Sequence, residues 1–183
     1  MTTLHRIATA CAAALLLAGC SIGGPKASPT IYAPEPKGSA DPAWPRVSWQ
    51  LSTARPGAAQ MLDSSRIVVS PVPGELQVYK GALWARTPTE MLEDGVLGTL
   101  EDSGKIPATA RQGSGIAADY RLVTDIRHFQ AEYAGAALPS VVIEVSAKLL
   151  HAQDQAVVGS RSFRHVQPAS GTDIALVADA FSQ

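Results

Sequence analysis

Cys20 is the residue whose type and setting point most directly to chemistry. Its thiol is a nucleophile, and the small residues Ala18 and Gly19 in front of it suit the narrow site of a peptidase. A weakly basic start and an apolar run at residues 7–17 precede them. This order is typical of a secretory signal peptide, and the run is shorter than the roughly 20 residues that cross a membrane. The sequence therefore predicts a signal peptide at residues 1–19.

The segment Leu17-Ala18-Gly19-Cys20 looks like a bacterial lipobox, in which the cysteine is acylated and the chain is cut before it. We expect Cys20 to carry a lipid anchor, since each buried methylene contributes about 0.8 kcal/mol of membrane binding. An ordinary signal peptide with a chance cysteine is the alternative. Ser21 follows, where an aspartate usually retains such proteins at the inner membrane, so the expected location is the periplasmic face of the outer membrane.

Length and composition restrict what the mature chain could do. Removing residues 1–19 from 183 leaves 164, the length of one domain. Basic and acidic residues number 15 and 16, so no basic field exists to attract nucleic acid. The two cysteines are Cys11, which leaves with the signal, and Cys20. The mature domain therefore offers neither a disulfide nor a thiolate ligand for a metal.

Residues 20–45 are rich in proline, which lacks an amide donor and favours extended backbone in the residue before it. This composition predicts a semi-rigid tether that holds a domain at residues 46–183 away from the membrane. A ligand for a proline-recognition module is the alternative. The prolines are Pro25, Pro29, Pro34, Pro36, Pro42 and Pro45.

The elements after residue 46 predict an α+β fold: a mainly antiparallel sheet with two helices packed on one face. Apolar and polar residues alternate in the expected strands, and the strands at 66–70 and 75–79 are expected to pair antiparallel. The expected strands cover residues 47–52, 66–70, 75–79, 106–110, 119–133, 140–150 and 156–166.

Two segments carry helix signals. Thr87 and Glu90 flank Pro88 in the arrangement of a capping box, and Gly104 ends that helix. A shorter helix is expected to begin at Asp173 and to present one apolar stripe, which consists of Ile174, Val177, Ala178 and Phe181.

The three late strands should form a meander. A step of three between Ile126 and Phe129 predicts a β-bulge near Arg127. The alternation of the last strand places Val157 and Phe163 inward.

Other reactive residue types lack a catalytic arrangement. His128, His151 and His165 show no helical ligand spacing, although His128 and His165 could meet from adjoining strands. Ser114 lies between two glycines but lacks the strand–turn–helix context of a nucleophile elbow. The acidic pairs at 93–94 and 101–102 are explained by solvated charge. We expect no catalytic residue, cofactor or metal.

Trp84 is the candidate for contact with a partner, because tryptophan is enriched at interface hot spots. Packing against the sheet is the alternative for this residue. Four arginines on the late strands form either a patch for an acidic partner or one wet face of the sheet; they are Arg121, Arg127, Arg161 and Arg164.

The order of several apolar segments between about Leu62 and Gln183 resembles the ABC-type transport auxiliary lipoproteins, the paraquat-inducible lipoprotein group. No single segment is specific, and the ordered set carries the resemblance. The segments are Leu62-Asp63-Ser64-Ser65-Arg66-Ile67-Val68-Val69, Leu76 to Tyr79, Trp84-Ala85 with Pro88, Ala118-Asp119-Tyr120-Arg121-Leu122, and Gly159-Ser160-Arg161-Ser162-Phe163.

This resemblance implies helices against a mainly antiparallel sheet. It also implies a role beside an ABC permease and ATPase and an MCE-domain protein, which together move phospholipids between the inner and outer membranes. Members of the family can assemble into homo-oligomeric rings that receive the MCE component. The chain has no phosphate-binding glycine loop, so a partner would hydrolyse the ATP.

Two other classes of function stay open from sequence. One is a regulator of envelope assembly, which activates a cell-wall synthase or assists lipopolysaccharide assembly with a similar tether and domain. The other is a periplasmic hydrolase, which would need a Ser-His-Asp or metal constellation in a cleft.

Overall fold

The computed structural model describes residues 28–35 and 38–183. The expected signal peptide, Cys20 and Ser21 lie outside the described residues. No helix in the part of the chain that is described has the length and apolar character needed to cross a membrane.

Nine strands and two helices make up this part of the chain. The helices are α1 (Pro88–Ser103) and α2 (Ile174–Ala180). The strands are β1 (Thr30–Tyr32), β2 (Leu51–Thr53), β3 (Gly57–Ala58), β4 (Arg66–Ser70), β5 (Gln77–Trp84), β6 (Thr109–Arg111), β7 (Tyr120–Glu132), β8 (Ser140–His151) and β9 (Val157–Pro168).

Strand β7 is the centre of a mixed sheet. One of its sides pairs antiparallel with β8 along its whole length, and β8 pairs antiparallel with β9. Its other side pairs in parallel with β2, β3 and β4 in turn. Strand β5 pairs antiparallel with β4, as predicted, and β1 and β6 extend this side further. The long strand pairings are antiparallel, and the parallel pairings involve only two or three residues each. The predicted α+β fold is therefore confirmed.

The predicted signals that begin and end α1 are present. The Thr87 Oγ1 accepts a hydrogen bond from the Glu90 backbone amide, and the Glu90 carboxylate accepts one from the Thr87 amide at 2.9 Å. Gly104 ends the helix in the left-handed region at φ 57°, which a glycine adopts at little cost. The capping box and the C-terminal glycine therefore define this helix.

The expected bulge in β7 is also present. The register with β8 shifts between Ile126 and His128, so Arg127 is the extra residue. The shift places Ile126 and Phe129 on the same buried face, where they are 2% and 8% exposed. The bulge thus preserves a continuous core face across the change of phase.

Both helices pack into a single core cluster. Met91 of α1 and Val177 of α2 join Trp84, Ile67 and Phe129 of the sheet in it. The apolar stripe expected on α2 is largely buried, with Val177 fully so.

The structure differs from the sequence expectations in several places. The strand expected at 47–52 is β2 at Leu51–Thr53, and the strand expected at 106–110 is β6 at Thr109–Arg111. Residues 30–32, inside the expected tether, form β1 and pair with Ala82 to Trp84 of β5. The inward placement of Val157 and Phe163 is wrong, since these side chains are 56% and 51% exposed. Strand β9 is the outermost strand on its side of the sheet, and no described element covers its faces. The apolar side chains of β9 therefore stay exposed although they alternate with polar ones.

Candidate interaction surfaces

Trp84 lies in the core, only 3% exposed. It ends β5, and its indole lies edge to face with two phenylalanine rings. The distance between ring centroids is 6.3 Å to Phe129 and 5.0 Å to Phe181. Of the two readings of this residue, the structure favours packing, because the indole is not on the surface that a partner would touch.

The histidines do not converge. His128 pairs with Glu144 of β8 and His165 with Ile143, so β8 separates them and their side chains leave opposite faces of the sheet. His151 lies at the β8–β9 turn, where its Nδ1 is 3.1 Å from Asp154 Oδ1. Among the described residues, no group of three potential ligands could hold a metal ion.

The acidic pair at 93–94 takes part in ion pairs that hold α1 to β6. Glu93 Oε2 lies 3.6 Å from Arg111 Nε, and Asp94 bridges Arg86 and Arg111. Ser114 is exposed in the turn that follows β6.

The four arginines do not form one patch. Arg161 and Arg164 leave opposite faces of β9, because an odd number of positions separates them. The Arg164 guanidinium binds Glu144 at 2.9 Å, whereas that of Arg161 lies 5.0 Å from the centre of the Phe163 ring. Arg121 donates to Gln155 at 3.0 Å, and Arg127 is exposed at the bulge.

The first candidate surface is a cleft of about 460 Å³ beside the bulge, which we call the bulge cleft. Its walls are the segment at 59–62, which follows β3, and the β4–β5 turn at 73–76; its floor is β7. Alternation after the bulge turns His128, Gln130 and Glu132 toward it, on the sheet face opposite Phe129.

Hydrogen bonding fixes part of the floor of the bulge cleft. The Gln130 amide donates to Glu132 Oε1 at 2.9 Å. His128 Nδ1 lies 3.4 Å from the same oxygen, but the geometry is not that of a hydrogen bond, so this buried nitrogen lacks a hydrogen-bond partner. The floor can therefore accept a further polar group.

Apolar side chains surround this polar floor. Met61 and Leu76 line the bulge cleft and are 36% and 45% exposed, and Val72 in the adjoining turn is 50% exposed. A concentration of exposed apolar side chains beside polar groups is typical of a protein-binding surface.

The second candidate surface is the outer edge of β9. This strand has 12 residues, and β8 is its only partner in the described sheet. Val158, Phe163 and Val166 are about half exposed, at 55%, 51% and 48%. A long, exposed, apolar edge strand presents free backbone hydrogen-bonding groups and favours pairing with another strand.

Sequence reasoning missed both surfaces. In β9, apolar residues occupy both odd and even positions, as Phe163 and Val166 show. This pattern indicates that apolar side chains lie on both faces of the strand and that no single face is the buried one. The bulge cleft arises from segments distant in sequence, and only the predicted bulge pointed toward it.

Comparison with known proteins identifies the family. The family model of the ABC-type transport auxiliary lipoprotein component matches residues 30–183. A protein of Xanthomonas campestris with a crystal structure is 56% identical, with a TM-score of 0.80 over 84% of this chain and 86% of that one. No curated protein matches the chain.

A more distant structure shares the fold alone. An uncharacterized protein of known structure has a TM-score of 0.63 at 15% identity and covers 85% of this chain and 90% of that one. The PelC dodecamer from Paraburkholderia phytofirmans has a TM-score of 0.44 at 14% identity and covers 74% of this chain and 85% of that one. The family match spans most of the chain, and this protein belongs to the ABC-type transport auxiliary lipoprotein family.

Proposed function

We propose that this protein is a non-enzymatic, lipid-anchored subunit of an ABC transport system that moves phospholipids between the inner and outer membranes. The observation that carries the proposal is the family match over residues 30–183, together with the lipobox that ends at Cys20. An ABC permease with its ATPase would supply the energy, and an MCE-domain protein would span the periplasm between that complex and this subunit.

The anchor gives the proposed location. Acylation of Cys20 would hold the chain on the periplasmic face of the outer membrane, the address that Ser21 favours. Residues 20–29 of the proline-rich segment would set the distance between membrane and domain, because the short strand β1 at Thr30–Tyr32 is already paired with the sheet. Several copies would form a ring that receives the MCE component.

The bulge cleft is the proposed contact for the MCE-domain partner. Leu76 and Met61 offer apolar area at its rim, while His128 and Glu132 offer polar groups at its floor. Arg127, exposed beside them, adds a charge that favours an acidic group on the partner. An apolar rim of this kind supplies binding energy, and the polar floor supplies specificity.

Capture from the native envelope tests the proposal. The tagged, lipidated protein is recovered from detergent-solubilised membranes, and bound proteins are identified by mass spectrometry. We expect an MCE-domain protein and its ABC complex. Recovery of murein-synthesis or lipopolysaccharide-assembly proteins alone would favour the envelope-assembly role and contradict the proposal.

A matched pair of variants tests the docking surface. Leu76→Glu places a charge at the rim of the bulge cleft, and Leu138→Glu places one at a leucine of similar exposure, 48% against 45%, outside the lining. We expect the first to reduce capture of the MCE-domain protein at least tenfold, which corresponds to about 1.4 kcal/mol, and the second to leave it unchanged. Equal capture by both variants would exclude the bulge cleft as the docking site.

The anchor is tested separately. Cys20→Ala should remove the acyl groups and reduce the membrane-bound fraction of the protein, as measured by fractionation of cells. Ser21→Asp should instead leave the protein acylated and move it to the inner membrane. A Cys20 thiol found free by mass spectrometry of the wild-type protein would overturn the anchoring.

A further inference from the structure

A groove lies between α1 and the segment at 38–49, and we call it the α1 groove. Its two parts have volumes of about 290 Å³ and 180 Å³, and they adjoin because Trp44 and Leu100 line both. We propose that the α1 groove binds one acyl chain of a membrane lipid whose anionic head group contacts Arg46 and Lys105. The inference rests on the proposed function, since it gives this subunit a direct contact with the transported lipid.

The lining of the α1 groove is mostly apolar. The two hydroxyl groups in it are already hydrogen bonded, because Thr99 Oγ1 donates to the Gly95 carbonyl at 2.7 Å and Ser103 Oγ to the Leu100 carbonyl at 2.6 Å. A polar ligand would therefore find few partners between the walls. The larger apolar side chains of the lining are Trp44, Leu92, Val96, Leu100 and Ile106.

This lining suits an acyl chain better than a peptide. A peptide segment would bring backbone amides and carbonyls into the groove, and burying them without partners costs free energy. An acyl chain has no such groups. Pockets for small molecules measure roughly 300–1,000 Å³, so the larger part of the groove, at about 290 Å³, has room for one chain and not for two.

The groove is already formed in the structure. A Cβ added at Gly38 would overlap the Thr99 hydroxyl, so the segment lies directly against the helix at this point. At the other end of the groove, the Val47 amide donates to the Lys105 carbonyl at 3.0 Å. These contacts hold the segment on α1 at both ends, and binding would require little ordering of the chain.

Two cations lie at one end of the α1 groove. The Arg46 guanidinium donates to the Gly104 carbonyl at 2.9 Å, and Lys105 Nζ donates to the Pro42 carbonyl at 3.0 Å. Both groups keep further N–H donors, and among the described residues neither forms an ion pair. The carboxylates at 101–102 do not line the groove. An apolar groove that ends at two unpaired cations complements an anionic amphiphile.

Photochemical labelling tests the binding. The full-length, lipidated protein is reconstituted into phosphatidylcholine vesicles that contain phosphatidylglycerol with a diazirine in its acyl chain. After irradiation, labelled peptides are identified by mass spectrometry. We expect the label on Trp44 and on residues 91–100. Labelling spread evenly over the domain, labelling confined to the bulge cleft, or no labelling would each overturn the proposal.

Two glycines of α1 provide a matched pair of variants. Gly95 lines the α1 groove, whereas Gly98 does not, and a Cβ added at Gly98 meets no atom within 4 Å. Leucine is a better helix former than glycine, so neither change opposes the helix, and thermal unfolding verifies that both variants fold. We expect Gly95→Leu to fill the groove and reduce labelling about tenfold, and Gly98→Leu to leave it unchanged. Equal labelling of the two variants would contradict the assignment.

The head-group contact has its own test, which does not depend on Gly95. Lys105→Gln should reduce labelling by the phosphatidylglycerol probe about threefold and leave labelling by a phosphatidylcholine probe unchanged, because only the first head group carries a net charge. Lys80→Gln is the control, since Lys80 is exposed on β5 and lies outside the groove. A wild-type protein that labels equally with both probes would exclude the charge contact.

Capture of the MCE-domain protein separates this inference from the proposed function. Wild-type protein that captures the partner but takes no label in the groove would overturn the lipid site alone. Labelling of the groove without capture would support the site and contradict the proposed transport role. If Gly95→Leu loses capture while its labelling stays unchanged, the groove contacts a protein, and the proposal is wrong.

Discussion

The indole of Trp84 and the ring of Phe181 meet edge to face, with centroids 5.0 Å apart and planes inclined at 76°. Phe181 also stacks on Phe129 at 4.8 Å. Trp84 ends β5 and Phe181 caps α2, so this aromatic cluster fastens the end of the chain to the sheet. The contact gives Trp84 a structural role that its position in the sequence left open.

We predict that Phe181→Ala lowers the free energy of unfolding by about 3–5 kcal/mol, since it removes a ring that is 3% exposed. Phe163→Ala is the matched control, because its ring is 51% exposed and its loss should cost about 1 kcal/mol or less in dilute protein. Denaturant unfolding followed by tryptophan fluorescence measures both. Equal losses would show that the aromatic cluster does not hold α2.

The cap of α1 gives a second prediction. Thr87→Ala removes the side-chain half of the capping box and should cost about 1 kcal/mol. Asp173→Ala, at the N-cap of α2, should cost less, because the Asp173 side chain makes no capping hydrogen bond. Thermal unfolding measures the difference, and a larger loss for Asp173→Ala would contradict the role of the capping box.

Asp154 in the β8–β9 turn leads us to predict that the stability of the protein depends on pH in the acid range. The Ala156 backbone amide, followed by His151, lowers the pKa of the Asp154 carboxyl below its ordinary value of 3.8. A lowered pKa in the folded state contributes stability above the ordinary pKa, and this contribution disappears as the pH falls through the folded-state pKa.

We therefore expect Asp154→Asn to be less stable than the wild type at neutral pH, and the difference to shrink toward zero in strong acid. Unfolding free energies measured across the acid range provide the test. A difference that stays constant with pH would mean that the charge of Asp154 is not responsible.

The buried hydroxyl of Tyr79 leads us to predict that the stability of the protein falls at alkaline pH. Burial raises the pKa of the Tyr79 phenol above its ordinary 10.0; Tyr133 is its neighbour, yet the Tyr79 oxygen has no partner in hydrogen-bond geometry. A raised pKa gives stability that is present below pH 10 and is lost as the pH rises toward the folded-state pKa.

Tyr79→Phe should leave stability at neutral pH unchanged or raise it by up to about 1 kcal/mol, because it removes an unsatisfied buried group. It should also reduce the loss of stability above pH 10. Denaturant unfolding at neutral and alkaline pH checks both effects, and a destabilised variant at neutral pH would show that the hydroxyl makes a favourable contact.

The sequence by itself determined the features that depend on neighbouring residues. Thr87 and Glu90 lie one helical turn apart, so their reciprocal capping bonds could be predicted from spacing alone. The step between Ile126 and Phe129 predicted the bulge for a similar reason, since side chains alternate strictly along a strand. The predicted lipobox at Cys20 is likewise a local pattern; it lies outside the described residues and stays a prediction.

Only the tertiary structure decided which faces are covered. Phe163 has the alternation of a buried residue but lies on an outer strand that no described element covers. Thr30–Tyr32 lies within a proline-rich segment, and only β5, about 50 residues away, provides its hydrogen bonds. The parallel pairing of β2 and β4 with β7 and the walls of the bulge cleft also join distant segments. Periodicity describes one element at a time, whereas burial depends on a second element whose position the local pattern does not encode.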